Sequence, residues 1–171
     1  MPSPREPIEG TIAELAEGFS LFDDWEDRYR YLMELGRELA PLAPEEMVEA
    51  HRVSGCQSRV WLVEGEAAGR LRFRAASDAA FVQGLLALML RVFDDRTPAE
   101  ILASDPDFLN RFGLGENLSL SRRNGAAAVI GRIQAAARRA APPEDAPHDA
   151  AAQLRGGPDQ GADASKVGSA S

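Results

Sequence analysis

The chain has 171 residues, of which 44% are apolar and 27% are charged, a composition typical of a folded globular protein. Its 19 lysine and arginine residues against 27 aspartate and glutamate residues give a net charge of −8. An acidic balance argues against broad binding to nucleic acids or to anionic membranes. The single cysteine, Cys56, excludes an intramolecular disulfide and any metal site built from several thiolates. We therefore expect neither a bound metal nor a cofactor.

The N-terminal part of the sequence predicts two amphipathic helices. Residues 9–19 place apolar side chains on one face of the first helix. Asp23 or Asp24 can cap the second helix, and Pro41 and Pro44 are expected to end it. The apolar residues of the second helix recur at helical spacing; they are Trp25, Tyr29, Leu32, Met33, Gly36 and Leu39.

Two alternating segments then predict a β-hairpin. Residues 59–64 carry apolar side chains on both faces and indicate a largely buried strand. Residues 70–76 alternate apolar residues with arginines, as expected of a strand with one face in the core. The segment Gly65–Gly69 supplies a turn between them. A short strand at His51–Val53 would complete an antiparallel sheet of three strands.

Three further helices are predicted after the hairpin. Ser77 or Asp78 can cap Ala79–Phe93, which is apolar nearly all round and is therefore expected to lie at the centre of the domain. Thr97 precedes a proline and lies three positions before a glutamate, the signature of a helix start. A last helix is expected from about Ser121 to Ala140. The predicted fold class is α+β, with a small sheet packed against helices.

The last residues differ from the rest of the chain. Residues 142–171 are mostly Ala, Gly, Pro, Asp and Ser, and their only large apolar residues are Leu154 and Val167. Such a segment buries too little surface to offset its ordering entropy. The sequence thus predicts one domain over residues 1–141 and a disordered low-complexity tail over residues 142–171, with a docking peptide as the alternative for the tail.

The sequence also predicts where the protein works. Its most apolar run, Gly84–Leu90, is far shorter than the roughly 20 residues that a membrane-spanning helix needs. The first residues lack the basic and apolar stretches of a secretory signal. Together with a lone thiol, these features predict a cytoplasmic protein.

Cys56 is the strongest candidate for chemistry. It lies in a small polar segment between two predicted strands, after Gly55, which permits a positive φ. A free thiol is only a few per cent ionised at pH 7, so a reactive cysteine needs activation by its surroundings. The alternative is an inert buried cysteine that acts as a small apolar residue.

Other side chains are candidates for supporting that thiol. His51 precedes Cys56 by five residues, and a Cys–His pair would supply a general base, although this spacing does not aim both side chains at one point. If Ser121 caps the last helix, Arg122 and Arg123 lie in its first turn, where cations oppose the helix dipole but can help to bind an anion or a thiolate. A misplaced helix boundary would leave both arginines merely solvated. Asp78 is most simply interpreted as a helix cap.

Several short stretches of this sequence stand in a specific order and spacing. They are Asp24–Tyr29, Leu35–Arg37, Val53–Trp61, Ser77–Ala80, Thr97–Pro98 and Ser121–Gly125. Together they resemble the SufE family of sulfur-acceptor proteins, which partner cysteine desulfurases. The resemblance covers about residues 9–139 and stops before the predicted tail.

The resemblance implies a role for Cys56. A SufS-like desulfurase, which is a pyridoxal-phosphate enzyme, would transfer a persulfide sulfur to Cys56 and be stimulated in doing so. The chain would then deliver this sulfur to an iron–sulfur scaffold complex, as a carrier without an enzyme activity of its own. The implied fold is SufE/IscU-like. The residues expected to support Cys56 or to contact the partner are Gly55, Gln57, Ser58, Asp78 and Arg122.

Two other function classes remain open at this point. One is an independent cysteine-dependent hydrolase or transferase that uses Cys56 with His51. The other is an adaptor that activates its desulfurase without accepting sulfur. A persulfide on Cys56 would distinguish the carrier from both.

Overall fold

The structure is a computed structural model that describes residues 5–142. Its elements are α1 (Ile8–Ser20), α2 (Trp25–Arg37), β1 (Val60–Ala67), β2 (Arg70–Ser77), α3 (Ala80–Phe93), α4 (Pro98–Leu102) and α5 (Leu120–Ala140). Short 3-10 turns lie at Pro44–Glu46, Glu49–His51, Phe108–Phe112 and Gly115–Asn117. The predicted α+β class is confirmed. The predicted tail lies outside the described residues except for Pro142, so the domain boundary stays a prediction.

Both predicted N-terminal helices form. Asp24 caps α2, and its carboxylate accepts a hydrogen bond from the amide of Asp27 at 2.8 Å. The helix ends at Arg37, four residues before Pro41, which was expected to end it. Leu39 therefore lies in the segment after the helix, where it still packs against the core. Within residues 5–142, no helix combines the length and the apolar character needed to cross a bilayer.

The hairpin is longer and its turn tighter than the sequence predicts. β1 and β2 pair along their full length, with Ala67 opposite Arg70. Only Ala68 and Gly69 connect them, with φ values of 54° and 75°. Two consecutive positive φ angles define a type I′ turn, whose twist matches that of the strands. β1 is less buried than predicted, because side chains such as Trp61 on its outer face are half-buried.

The third strand that the sequence predicts at His51–Val53 does not form in this part of the structure. Glu49–His51 is a 3-10 turn, and the described sheet has two strands. Arg52 makes a single bridge to Trp61, and the amide of Val53 donates a hydrogen bond to the carbonyl of Val60 at 2.9 Å. The chain leaves the hairpin edge directly after that bond, so no longer ladder develops.

α3 lies at the centre of the domain, as predicted, and packs against α1, α2, α5 and β2. Its predicted cap is wrong, because the N-cap residue is Ala79 and no side chain caps the helix. The Ser77 hydroxyl accepts a hydrogen bond from the amide of Ala79 at 3.2 Å. The Asp78 carboxylate instead accepts one from the amide of Arg59 at 3.1 Å. The local sequence pattern predicts Asp78 as a cap of α3, but its carboxylate binds Arg59, which is distant in sequence.

The two C-terminal helices differ in how well the sequence predicts their starts. At α4 the predicted signal is confirmed: the Thr97 hydroxyl accepts from the Glu100 amide at 3.2 Å, and the Glu100 carboxylate accepts from the Thr97 amide at 2.7 Å. α5 begins earlier than predicted. Ser119, not Ser121, caps it by accepting from the amide of Arg122 at 3.3 Å.

One buried cation joins α1 to the end of α3. Arg96 is fully buried. Its Nε donates to the carbonyl of Val92 at 3.0 Å, and its guanidinium also donates to the Glu6 carbonyl and, at 2.8 Å, to the Thr11 hydroxyl. Burial lowers the pKa of Arg96, and the Glu100 carboxylate at 3.9 Å partly offsets this. The polar contacts of this arginine replace the water that burial removes.

α2 and α3 approach closely because of two glycines. A Cβ on Gly84 would lie 2.4 Å from the carbonyl oxygen of Leu32, and one on Gly36 would lie 2.7 Å from the amide nitrogen of Gly84. Gly131 in α5 is the opposite case, since an added Cβ there would meet nothing within 4 Å. The first two glycines allow helix packing, whereas the third has no such role.

The Gly84→Ala substitution is expected to destabilise the domain by roughly 1–3 kcal/mol, because the new methyl group overlaps the backbone of α2. The matched control, Gly131→Ala, is expected to stabilise it by about 0.5–1 kcal/mol, since alanine has the higher helix propensity. Thermal unfolding of both variants measures whether each substitution lowers or raises the stability of the domain. An increase in melting temperature for Gly84→Ala would contradict the close helix packing.

Candidate functional site

Cys56 lies in a short loop that the hairpin edge closes. The hydrogen bond between Val53 and Val60 joins the two ends of the loop, which comprises residues 54–59. Gly55 has a φ of 90°, a backbone conformation that glycine adopts without strain. The predicted positive φ before the cysteine is therefore confirmed. We call residues 54–59 the cysteine loop.

The thiol of Cys56 packs against the start of α5. It is half-buried, and its Sγ donates a hydrogen bond to the carbonyl of Gly125 at 3.5 Å. A Cβ on Gly125 would lie 3.3 Å from this sulfur, so glycine leaves the space that the thiol occupies. A cavity of about 20 Å³, the size of one small group, lies beside the sulfur. Apolar side chains make up most of its lining; they are Val60, Val82, Leu85, Leu86, Met89, Ala126 and Val129.

These surroundings favour the neutral thiol. Burial raises the pKa of Cys56 above its ordinary value, because the ionised sulfur loses water there. The Gly125 carbonyl accepts a hydrogen bond, which a thiol can donate and a thiolate cannot. In this conformation Cys56 is thus protonated at neutral pH and shielded on one side.

Two polar side chains of the cysteine loop were predicted to support the thiol. The amide oxygen of Gln57 accepts a hydrogen bond from the Ser121 hydroxyl at 3.1 Å, which ties the loop to the first turn of α5. Ser58 is half-buried, and its hydroxyl makes no hydrogen bond within residues 5–142. Gln57 therefore has a defined contact with α5, whereas Ser58 has none in this conformation.

Asp78 lies at the other end of the loop, next to β2. Its carboxylate accepts from the amide of Arg59 at 3.1 Å, and its own amide donates to the carbonyl of Arg59 at 3.3 Å. The Arg59 side chain adds an ion pair at 4.0 Å. Asp78 thus fixes the residue at which the cysteine loop rejoins the hairpin, a role that the local sequence did not reveal.

Arg122 borders the thiol from α5. It lines the cavity beside Cys56, and its guanidinium carbon lies 4.2 Å from the centre of the Phe81 ring. This cation–π contact helps to offset the cost of a cation near a helix N-terminus. Arg123 does not share it, since its Nε donates to the carbonyl of Leu118 at 3.2 Å. The shifted helix boundary leaves both arginines near the helix start, as predicted, but only Arg122 lines the cavity beside Cys56.

His51 does not form the Cys–His pair considered above. Its Nδ1 lies 2.8 Å from the carbonyl oxygen of Glu46, within hydrogen-bonding distance. The observed hydrogen bond of the Cys56 thiol goes to Gly125 instead. The His51 ring thus contacts the backbone of the preceding 3-10 turn, Pro44–Glu46, and not the thiol. Within residues 5–142, no three His, Cys, Asp or Glu side chains come together in a way that could bind a metal ion.

Comparisons with known proteins agree with this geometry. The domain family described as "SufE: Fe-S metabolism associated domain" matches residues 13–137. An uncharacterized SufE-like protein of Rhizobium etli is 37% identical over 139 residues, covering 78% of this chain and 94% of its own. A second one, of Rhizobium meliloti, is 38% identical over 132 residues, covering 74% and 94%.

A solved structure has a similar fold. The solution structure of a hypothetical protein from Thermus thermophilus matches with a TM-score of 0.64 and 26% identity, covering 76% of this chain and 95% of that one. The six motifs of the sequence, the family match and the two relatives agree. The chain belongs to the SufE family, whose domain is associated with iron–sulfur metabolism.

Proposed function

We propose that the chain is a cytoplasmic sulfur carrier for iron–sulfur cluster assembly. A SufS-like cysteine desulfurase loads one sulfur atom onto Cys56, is stimulated by losing it, and the chain then delivers this sulfur to a scaffold complex. The single observation that carries the proposal is the lone thiol of Cys56, held on a closed loop at the surface of a SufE-family domain.

The proposed transfer is an exchange at a sulfur–sulfur bond. The Cys56 thiolate attacks the outer sulfur of a persulfide on the desulfurase cysteine. A bond forms between Cys56 Sγ and that outer sulfur, while the bond to the desulfurase sulfur breaks and the electron pair stays on the desulfurase as a thiolate. One sulfur atom moves from the desulfurase cysteine to Cys56 without net oxidation or reduction, so no further redox agent is required.

The cysteine content of the chain supports a carrier. Cys56 is its only cysteine, so no second thiol in the chain can attack the persulfide and release its sulfur. A scaffold that holds a cluster would need several thiolates, which one chain of this sequence does not supply. The carrier therefore fits the sequence better than the scaffold does.

The position of the thiol supports a protected resting state. Cys56 donates to Gly125 and its pKa is raised by burial, so the free chain keeps an unreactive thiol. The sulfur must leave this contact before it can reach a partner cysteine. Since the Ser121–Gln57 hydrogen bond is exposed, a binding partner can compete for it and release the loop.

Arg122 is proposed to assist once the loop is released. Its side chain lines the cavity beside Cys56, with the guanidinium over the Phe81 ring, and once the loop moves it can stabilise a thiolate or a persulfide anion. Asp78 and Gly55 hold and shape the loop rather than contact the sulfur. We assign them a positioning role in the same proposal.

The first prediction concerns the acceptor itself. Cys56→Ser should abolish stimulation of the partner desulfurase, because an alcohol cannot take up the sulfur. The fold should remain, since serine is smaller than cysteine and its hydroxyl can donate to the same Gly125 carbonyl. Alanine formation from cysteine by the desulfurase measures stimulation, and circular dichroism checks folding. Normal stimulation by a folded Cys56→Ser protein would refute the carrier mechanism.

The second prediction concerns the raised pKa of Cys56. Alkylation of the free chain by iodoacetamide should be slow at pH 7 and should increase with pH, with a midpoint above the ordinary thiol value of about 8.5. Glutathione serves as the unshielded control. Loss of one exposed hydrogen bond, worth about 0.5–1.5 kcal/mol, should make Gln57→Ala react about two- to tenfold faster at fixed pH. Equal rates for the chain and glutathione at pH 7 would contradict the shielded thiol.

A further inference from the structure

An exposed apolar side chain directly precedes the residue of α5 that binds the cysteine loop. Leu120, the first residue of α5, is 73% exposed. It directly precedes Ser121, whose hydroxyl binds Gln57 of the cysteine loop. Single exposed apolar residues are common on protein surfaces, so exposure alone carries no meaning. The position of this leucine next to the reactive loop distinguishes it.

The surface around Leu120 is basic. Arg122 and Arg123 follow it, and within residues 5–142 their guanidinium groups engage an aromatic ring and a backbone carbonyl rather than a carboxylate. Both residues are exposed. Arg59 in the cysteine loop is exposed as well, although its side chain pairs with the Asp78 carboxylate at 4.0 Å. These cations stand out in a chain whose net charge is −8. A partner with carboxylates on its surface complements this face.

We propose that Leu120 is the apolar anchor through which the chain docks on its sulfur donor. The proposal rests on the function proposed above and adds the residue and the partner chemistry. The complementary surface on the desulfurase is an apolar pocket with carboxylates at its rim, close to its persulfide cysteine. The arginines steer the encounter, and the leucine slows dissociation by losing its contact with water.

The proposed role of Leu120 in docking, and not in sulfur transfer, has measurable consequences. The free energy gained by burying a leucine side chain in a partner pocket is large enough to change the affinity by about tenfold or more. Leu120 touches neither the sulfur nor the loop backbone in the contacts described, so its loss should not alter transfer once the complex has formed. The expected effect is a higher concentration for half-maximal stimulation with an unchanged maximum.

The test compares Leu120→Ala with Leu21→Ala in the full chain. Leu21 is the matched control, because it is 80% exposed and lies at the end of α1. Both substitutions remove an exposed leucine, so both variants should keep the melting temperature of the unaltered chain. Alanine formation by the cysteine desulfurase of the same genome is measured against the concentration of each protein.

The expected result is a half-maximal concentration about tenfold higher for Leu120→Ala, an unchanged maximal rate, and a native curve for Leu21→Ala. Identical curves for the two variants would overturn the anchor while leaving the sulfur carrier intact. A lower maximum with an unchanged half-maximal concentration would also overturn it, since that pattern belongs to transfer and not to docking. Absence of stimulation by the unaltered chain would instead refute the proposed function, and the anchor with it.

Discussion

The contact between the Cys56 thiol and the Gly125 carbonyl is the constraint on which the site depends. It joins two residues separated by 69 positions and places the thiol against the first turns of α5. A side chain at position 125 would crowd the sulfur, so a glycine inside a helix is tolerated there despite its low helix propensity. The same contact buries the thiol, which keeps its pKa high in the free chain.

A carrier of reactive sulfur benefits from such a resting state. The thiolate is the reactive form, so a neutral and half-buried thiol resists oxidation and adventitious alkylation. The loop is held by two kinds of contact with different strengths. Its ends are fixed by backbone bonds at Val53 and at Arg59, whereas its tip is held by one exposed side-chain bond from Ser121 and by the weak thiol contact. The geometry therefore allows the tip to move while the ends stay.

Local sequence signals predicted the local structure well. Apolar periodicity indicated the helices, and the caps at Asp24 and Thr97 formed as predicted because each depends on residues three positions away. One prediction failed where a distant contact decides the outcome. Asp78 does not cap α3 because its carboxylate accepts from the amide of Arg59. The predicted third strand fails for a local reason, since Glu49–His51 forms a 3-10 turn and only Arg52 bridges to β1.

The candidate site likewise combines features that the local sequence predicts with contacts that it does not. The sequence alone identifies the loop, its glycine and the lone cysteine, and it predicts arginines at the start of the last helix, where they oppose the helix dipole. The partners of those groups were not evident, since Phe81 and Gly125 come from elements far away in the chain. Gly125 does fall within the sixth motif of the family resemblance, which is the one signal that marked it. The sequence pattern does not mark Leu120, because it predicts the start of the last helix at about Ser121, whereas α5 begins at Leu120.

The central claim is that a sulfur atom resides on Cys56, and intact-protein mass spectrometry tests it most directly. The chain is incubated with its desulfurase and cysteine, separated without reductant, and mapped by peptide fragmentation. The account predicts an added mass of one sulfur atom on the peptide that contains Cys56, removed by a reducing agent and absent when the desulfurase is omitted. Stimulated desulfurase turnover with an unmodified Cys56 at every time point would contradict it.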